Sequence, residues 1–285
     1  MLRIARANGV RVAPTLSNAS HARFDSKRIE RMLRTPGSGQ AVISATTKFL
    51  VANDLAGVQL DIEMLDKPLR PAYEAWVRSF SRALHAKGKE LSITIQASED
   101  DDVIRALASA VDYVVPMAYD EHAMANVPGP VASAAFVDST VRRFAELIPP
   151  SKLVVGIGAY GYDWASDGSE PQSVTNSEAI ALAAGYRDQE KAQDVIDFDQ
   201  DALEPTFNYT DDNKVAHEVW YLDGVTVANA MKLSRLHARA ARCYGRWAWR
   251  TRPPGKHLDA TRRPAPICTS SISLWRRNFS ATANC

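Results

Sequence analysis

The chain has 285 residues, of which 46% are hydrophobic and 24% charged. This composition is ordinary for a globular protein and excludes a chain too polar to bury a core. No apolar run reaches membrane-spanning length, and the first residues lack the apolar centre of a signal peptide. The net charge of +1 conceals an asymmetry, because residues 239–285 carry +9 and residues 1–238 therefore carry −8. All three cysteines lie in this basic segment, so the rest of the chain indicates no redox compartment.

Strand-like and helix-like patterns alternate along the first 158 residues. A helix end over 2–8 is followed by predicted strands over 10–16, 57–63, 90–97, 111–120 and 152–158, with helices over 26–35, 38–53, 71–87, 101–110 and 136–147 between them. Such alternation is typical of a parallel sheet or a β/α barrel. A dinucleotide-binding fold needs a glycine-rich fingerprint after a strand, and none is present. Polar residues gather at the carboxyl ends of several strands, which favours an α/β fold of the (β/α)8 TIM-barrel type.

Residues 165–222 break this rhythm. They hold a predicted helix over 177–184 and short strand-like pieces over 195–199, 206–209 and 217–222. We interpret them as a small α+β insertion domain before the last strand. A helix over 225–244 and a strand over 246–249 follow. The expected domains are a barrel over 1–164 and 223–250, the insertion over 165–222, and an aberrant or disordered basic tail over 251–285.

The stretch Gly57–Glu63 alternates strictly, with Val58, Leu60 and Ile62 on one face and Gln59, Asp61 and Glu63 on the other. In a barrel strand the apolar face packs on the outer helices and the other face lines the interior. Asp61 and Glu63 would then lie at the barrel mouth, with their Cα atoms roughly 6.5–7 Å apart. Like charges at that distance in a partly dry site do not both ionise easily, so one acid is expected to keep its proton and serve as a general acid. A solvent-facing strand with two acids is the alternative interpretation.

Three stretches together resemble a known family. Gly57–Glu63 resembles the D-G-x-D-x-D-x-E motif of family 18 glycoside hydrolases, the chitinases and related β-N-acetylglucosaminidases. Met117-Ala118-Tyr119-Asp120 is similar to that family's M-x-Y-D motif at the end of the sixth strand, and Val174–Asp223 resembles the insertion of its bacterial spore-cortex-type branch. Similar modules also occur joined to polysaccharide deacetylase and glycosyltransferase domains. The resemblance covers about residues 10–249.

The resemblance implies a retaining (β/α)8 enzyme in which the substrate's own 2-acetamido group attacks the anomeric carbon, an exception to the two-carboxylate scheme. Glu63 would be the general acid and later the base, Asp61 would orient the acetamido group, and Tyr119 would hydrogen-bond its oxygen. A further set would bind sugar or support the site: Gln59, Met117, Asp120 and Trp249. No metal or other cofactor is implied, and His122 has no second ligand at a suitable spacing.

The sequence departs from the family motif at two positions, because Ala56 and Gln59 stand where the motif has its first two aspartates. Gln59 can hydrogen-bond Asp61 but cannot share a proton with it, so an altered rate or pH profile is expected. Only six barrel strands are counted, and by motif order the two absent ones would precede residue 1, which predicts an N-terminally truncated barrel. Without the family match, Tyr119 and Asp120 could also be a structural hydrogen-bonded pair.

Three functions remain open. The first is hydrolysis of a β-1,4-linked N-acetylglucosamine polymer, either chitin-like or the glycan of peptidoglycan. The second is a non-catalytic sugar-binding module of the same fold, and the third is an accessory module in exopolysaccharide synthesis. We expect a monomer whose partner is such a glycan. The basic tail lacks the periodicity or module of a nucleic-acid-binding protein, and the family resemblance suggests a site of action outside the cytoplasm.

Overall fold

A computed structural model describes residues 2–20, 23–123, 127–186, 195–237, 242–247 and 267–268. The chain divides into two compact units, residues 1–115 with 257–285, and residues 116–256. The first unit holds the predicted carboxylate strand, and the second holds the M-x-Y-D stretch and the predicted insertion. Within the described residues, no helix is both long enough and apolar enough to cross a membrane.

The first unit alternates strands and helices in the predicted order. Its elements are α1 (Leu2–Ala7), β1 (Arg11–Val12), β2 (Thr15–Ser17), β3 (Ala19–Ser20), β4 (Arg23–Phe24), α2 (Ser26–Arg34), α3 (Ser38–Ala52), β5 (Gly57–Asp61), α4 (Arg70–His85), β6 (Glu90–Gln96), α5 (Asp101–Ala110) and β7 (Tyr113–Met117), which runs into the second unit. Strands β2, β5 and β6 pair in parallel, with Leu16 opposite Leu60 and Leu60 opposite Ile93.

Two predicted strands differ from the structure. The strand over 10–16 is two pieces, β1 and β2, because Pro14 between them has no N–H for a ladder. The carboxylate strand ends at Asp61 rather than at Glu63. Val58 and Leu60 are buried as predicted, and Gln59 on the opposite face is buried as well, so β5 is covered on both sides.

The aromatic face of α4 forms part of the core, as its helical spacing predicts. Tyr73 and Trp76 stack with ring centroids 5.9 Å apart, and Trp76 meets Phe80 edge to face. Trp76 also donates from Nε1 to the carbonyl of Gly39 in α3, at 3.1 Å. A Cβ at Gly39 would lie 2.9 Å from the indole, so this close approach of α3 and α4 requires glycine there.

The second unit contains two kinds of sheet. Its remaining elements are α6 (Ala134–Leu147), β8 (Val154–Ala159), β9 (Gly161–Ala165), β10 (Gln172–Val174), α7 (Asn176–Tyr186), β11 (Asp197–Asp199), β12 (Glu204–Thr210), β13 (Ala216–Tyr221), α8 (Gly224–His237) and β14 (Arg242–Trp247). Strand β8 pairs in parallel with β7 and with β14. The other five strands form an antiparallel sheet in the order β10-β9-β13-β12-β11.

The antiparallel sheet packs against α7 through a small apolar core. This core includes Val174, Ala179, Ala183, Phe207, Tyr209, Val219 and Tyr221. Trp220 is buried too. The sheet includes Gly161–Ala165, so it begins four residues before the expected insertion boundary at 165.

The predicted helix over 225–244 is too long. Helix α8 ends at His237, and β14 already begins at Arg242, so Tyr244 lies in a strand. The predicted strand over 246–249 is β14 up to Trp247, and its last two residues lie outside the described residues. Each of the six expected barrel strands is present as a strand, and the chain is α/β as predicted. N-terminal truncation and the domain boundaries stay predictions.

Little of the tail over 251–285 is described. Ile267–Cys268 forms β15, which pairs in parallel with Arg11–Val12 of β1. The expectation that the tail is aberrant or disordered otherwise falls outside the described residues.

Candidate active site

Two acids lie at the carboxyl end of β5, as the alternating pattern predicts. Asp61 is the last residue of the strand, and Glu63 follows two residues later; both are half-buried. The hydroxyl of Thr94 in β6 donates to Asp61 Oδ1 at 2.6 Å. Gln96 at the end of β6 donates from Nε2 to Glu63 Oε2 at 3.1 Å. Each acid is therefore oriented by a neutral donor from the neighbouring strand while part of it remains open to solvent.

The backbone of Glu63 is held by a side chain that the sequence did not single out. Asn18 follows β2 and is completely buried. Its Oδ1 accepts from the Glu63 N–H at 3.1 Å, and its Nδ2 donates to the Glu63 carbonyl at 3.0 Å. The next residue, Met64, has a φ of +56°, so the chain turns sharply just after Glu63.

Beneath the acids, α4 places the phenol of Tyr73. The ring is buried, and its hydroxyl has no hydrogen-bond partner among the described residues. Burial, and secondarily the negative charge of Asp61, raises the pKa of Tyr73 far above its ordinary value. Because the phenol stays neutral, it adds no negative charge near Asp61.

Gln59 is almost fully buried, with 6% of its surface exposed. It occupies the position at which the family motif has an acid. A buried glutamine needs no counter-ion or proton there, whereas a buried carboxylic acid would. The structure therefore accommodates the departure from the motif without an unpaired charge.

The M-x-Y-D stretch lies in the second unit. Met117 ends β7, and Tyr119 and Asp120 follow it; Met117 and Tyr119 are buried. Asp120 Oδ1 accepts hydrogen bonds from the hydroxyls of Tyr160 and Tyr162. Burial, and secondarily the charge of Asp120, raises the pKa of Tyr160 well above its ordinary value. Asp120 has a φ of +65°, a conformation that aspartate tolerates better than most residues.

The aromatic rings around Asp120 form a continuous row. Tyr119 meets Tyr160 at 6.1 Å between centroids, Tyr160 meets Tyr162 at 5.6 Å, and Tyr162 meets Trp164 at 5.5 Å. Tyr162 and Trp164 alternate along β9, and Tyr160 directly precedes the strand at the same spacing, so the three side chains fall on one face. The structure gives Tyr160 and Tyr162 as donors to Asp120, which the sequence did not indicate, so the Tyr119–Asp120 pair and the sugar-binding role of Asp120 both stay predictions.

The sequence analysis also named Trp249 and His122. Trp249, which was expected to bind sugar or support the site, lies outside the described residues. His122 is half-buried, with its Nδ1 2.9 Å from the carbonyl oxygen of Pro130. In the part of the chain that the structure describes, no group of three or more His, Cys, Asp or Glu side chains could hold a metal ion.

Comparisons with known proteins identify the family. The model of the family "Glycosyl hydrolases family 18" matches residues 2–246. A cortical fragment-lytic enzyme of Bacillus subtilis is 28% identical, with 78% of this chain and 58% of that protein aligned. A second Bacillus subtilis relative, named as a sporulation-specific glycosylase, is aligned over 55% of its length. The chain therefore spans little more than half the length of these two relatives.

Solved structures of a chitinase and of a spore cortex-lytic enzyme are also similar to this chain. A chitinase from Chromobacterium violaceum superposes with a TM-score of 0.73 at 25% identity, covering 86% of this chain and 78% of that one. A spore cortex-lytic enzyme from Bacillus cereus gives the same TM-score and identity, covering 86% and 58%. Because the family model spans well over half of the residues, the chain belongs to glycosyl hydrolase family 18, whose fold is a TIM barrel.

Proposed function

We propose that the protein hydrolyses β-1,4 linkages in an N-acetylglucosamine-containing polysaccharide, with retention of configuration and participation of the substrate's acetamido group. The observation that carries the proposal is the placement of Glu63. It lies just past a parallel strand, partly open to solvent, with its backbone bound by Asn18 and its carboxyl bound by Gln96. Asp61 stands two residues before it with its own donor, Thr94.

In the first step, Glu63 gives its proton to the glycosidic oxygen as the bond from that oxygen to the anomeric carbon breaks. The acetamido oxygen of the same sugar forms a new bond to the anomeric carbon and yields a positively charged oxazolinium ring. Asp61 orients the acetamido group through its N–H and stabilises the positive charge, while Thr94 fixes the rotamer of Asp61. No enzyme nucleophile is needed, as in the substrate-assisted families.

In the second step, the Glu63 carboxylate takes a proton from water, and the oxygen of that water attacks the anomeric carbon. The bond to the acetamido oxygen breaks, and the product has the starting configuration. Glu63 is then protonated for the next cycle, so one residue serves as acid and base in turn.

The remaining roles follow from the family resemblance. Tyr119 would hydrogen-bond the acetamido oxygen, Met117 and Trp249 would contact the sugar, and Asp120 would bind hydroxyls. The tyrosine hydroxyls that bind Asp120 support a fixed orientation of its carboxylate. Relatives named for cortical fragments and for chitin favour a glycan of either peptidoglycan or chitin as the substrate class.

A non-catalytic glycan-binding module is the second candidate, and Gln59 favours it. In the family motif this position carries an acid, whereas here a buried amide stands next to Leu60 and Asp61. An amide cannot exchange a proton with Asp61 during the cycle. A module that binds sugar without cleaving it would tolerate this change.

Mass spectrometry of N-acetylglucosamine oligomers separates the two candidates. The parent chain and Glu63→Gln are incubated with oligomers, and circular dichroism verifies that both fold. We expect shortened oligomers from the parent and a loss of about 10²–10⁴ in rate for the variant, the usual contribution of general acid–base catalysis. Intact oligomers that co-purify with a folded parent would overturn hydrolysis in favour of binding.

A further inference from the structure

The β2–β5 backbone ladder stops at Asp61, two residues before Glu63. Strands β2 and β5 pair in parallel from Thr15 opposite Gln59 to Ser17 opposite Asp61. Beyond this point β5 ends at Asp61, and Asn18 separates β2 from β3, which pairs with β4 instead of β5. Glu63 therefore lies outside regular structure, where a backbone is ordinarily free to shift.

The side chain of Asn18 replaces the missing strand partner. Its amide offers one acceptor and one donor side by side, the same pair of groups that a peptide unit offers in a ladder. The acceptor binds the Glu63 N–H at 3.1 Å, and the donor binds the Glu63 carbonyl at 3.0 Å. Both polar groups of the Glu63 backbone are thereby bound by one side chain.

The amide is itself anchored. Its Nδ2 also donates to the carbonyl of Asp25 at 3.2 Å, and the Asp25 N–H donates back to the Asn18 carbonyl at 3.2 Å. Asp25 caps α2 by accepting from the Arg28 N–H at 3.2 Å. Since Asn18 is 0% exposed and its two N–H groups and its oxygen are all used, water has no access to compete for these bonds.

We infer that Asn18 is a positioning residue for Glu63. The side-chain amide of Asn18 extends the β2–β5 ladder to the general acid. The inference rests on the proposed function and deepens it. A displacement of about 1 Å at a reacting group can cost about 10²-fold in rate. Gln96 binds the carboxyl end of Glu63, whereas Asn18 binds both polar groups of its backbone.

A purely structural role for Asn18 predicts a different result. A buried, fully bonded amide stabilises any fold, and its loss would lower stability without a selective effect on turnover. Asn53 is a matched control, because its Nδ2 donates to a backbone carbonyl, that of Phe49, at 2.9 Å at the end of α3. Asn53 has no hydrogen bond to Asp61 or Glu63 in the contacts that the structure describes.

The experiment compares Asn18→Ala, the equal-volume Asn18→Asp, and Asn53→Ala in oligomer hydrolysis and urea unfolding. We expect kcat to fall at least 10-fold in both Asn18 variants, with KM changed less than about 2-fold and the acid limb of the pH–rate profile displaced. Asn53→Ala should lose stability but keep the parent kcat and pH profile. Equal kcat values in Asn18→Ala and Asn53→Ala would overturn the inference.

Hydrogen exchange of the Glu63 amide gives a reading that does not depend on turnover. In the parent, the amide bound to Asn18 Oδ1 should exchange far more slowly than an open loop amide, and the protection should vanish in whichever Asn18 variant folds. The amide of Leu91, which donates to Asp112 at 2.8 Å, is the internal reference. A fast-exchanging Glu63 amide in the parent would overturn the inference, whereas a protected amide in a parent without hydrolysis would overturn only the proposed function.

Discussion

Acidic side chains in the two units lie in different surroundings. Asp61 and Glu63 at the end of β5 are half-buried and bind the side chains of Thr94 and Gln96. In the antiparallel sheet, Glu204 is 0% exposed and accepts from the backbone N–H groups of Val131 and Ala132, at 2.9 and 2.6 Å. An acid that binds buried backbone amides joins segments of the fold, whereas an acid that reaches solvent can meet a substrate.

Asp163 in β9 shows the same structural pattern. It is 8% exposed and accepts from the Tyr209 hydroxyl at 2.6 Å, with His217 Nδ1 2.8 Å from its other oxygen. Tyr209 in turn stacks on the ring of His217 at 4.4 Å. The comparison therefore predicts that changes at Asp61 affect turnover and that changes around Asp163 and Glu204 affect stability.

Among the changes that test this comparison, Asp61→Asn is expected to have the largest effect. Loss of this charge removes the stabilisation of the positive oxazolinium, and we expect kcat for oligomer hydrolysis to fall by about 10²–10³-fold with little change in the unfolding midpoint. The control is Asp54→Asn, because the Asp54 side chain is 88% exposed and lies 3.8 Å from Lys89. Similar kcat values for the two variants would remove Asp61 from the catalytic machinery and break the comparison.

The next effect is a dependence of stability on pH that arises from Glu204. Burial raises the pKa of Glu204 to about 8, although hydrogen bonds from the Ala132 and Val131 amides act in the opposite direction. The folded state therefore holds a proton that the unfolded state releases near pH 4.5. The stability this proton contributes is fully present below pH 4.5 and is lost as the pH rises to about 8, at up to about 1.4 kcal/mol per pH unit.

Urea unfolding between pH 4.5 and 9 measures this dependence in the parent and in Glu204→Gln. The parent should lose stability with rising pH in this window, and Glu204→Gln should show a flatter profile. Glu178→Gln is the control of opposite sign, since hydrogen bonds from Thr175 lower the pKa of the exposed Glu178. Its contribution is fully present above pH 4.5 and is lost only on acidification below that pH, so Glu178→Gln should leave the slope between pH 4.5 and 9 unchanged. An unchanged slope in Glu204→Gln would show that Glu204 stays ionised in the fold.

The sequence was sufficient for the order of strands and helices and for the acids of β5, because both depend on local periodicity. It was not sufficient for Asn18, whose partner Glu63 is 45 residues away, since no local pattern marks such a contact. Nor did it show that β9 begins at Gly161, because Tyr160–Trp164 continues the apolar run of β8 without a clear break. The sequence also did not show that the helix after residue 225 ends before Tyr244. Arg242–Trp247 is a strand that pairs with β8, a distant partner that no local pattern marks.

Removing one tyrosine hydroxyl in each unit tests whether Asp163 stabilises the fold. Tyr209→Phe removes the donor to buried Asp163, and we expect a loss of about 1–3 kcal/mol in the free energy of unfolding. Tyr73→Phe removes a buried hydroxyl with no partner among the described residues, and it should be neutral or stabilising. Urea unfolding of both variants gives the measurement. A larger loss for Tyr73→Phe than for Tyr209→Phe would contradict the assignment of Asp163 to the fold.

The smallest effect is expected from a change that removes the hydrogen bond to Asp61 but leaves its charge in place. Thr94→Val keeps the shape of the side chain but removes the hydroxyl that donates to Asp61 Oδ1, so Asp61 keeps its charge and loses its fixed rotamer. We expect kcat to fall about 10-fold, equivalent to about 1.4 kcal/mol and to the lower end for a hydrogen bond to a charged group. Thr46→Val is the matched control, because the buried Thr46 hydroxyl has no partner in the described part of the chain. If Thr94→Val keeps the parent kcat while Asp61→Asn loses activity, then the charge of Asp61 matters and its hydrogen bond to β6 does not.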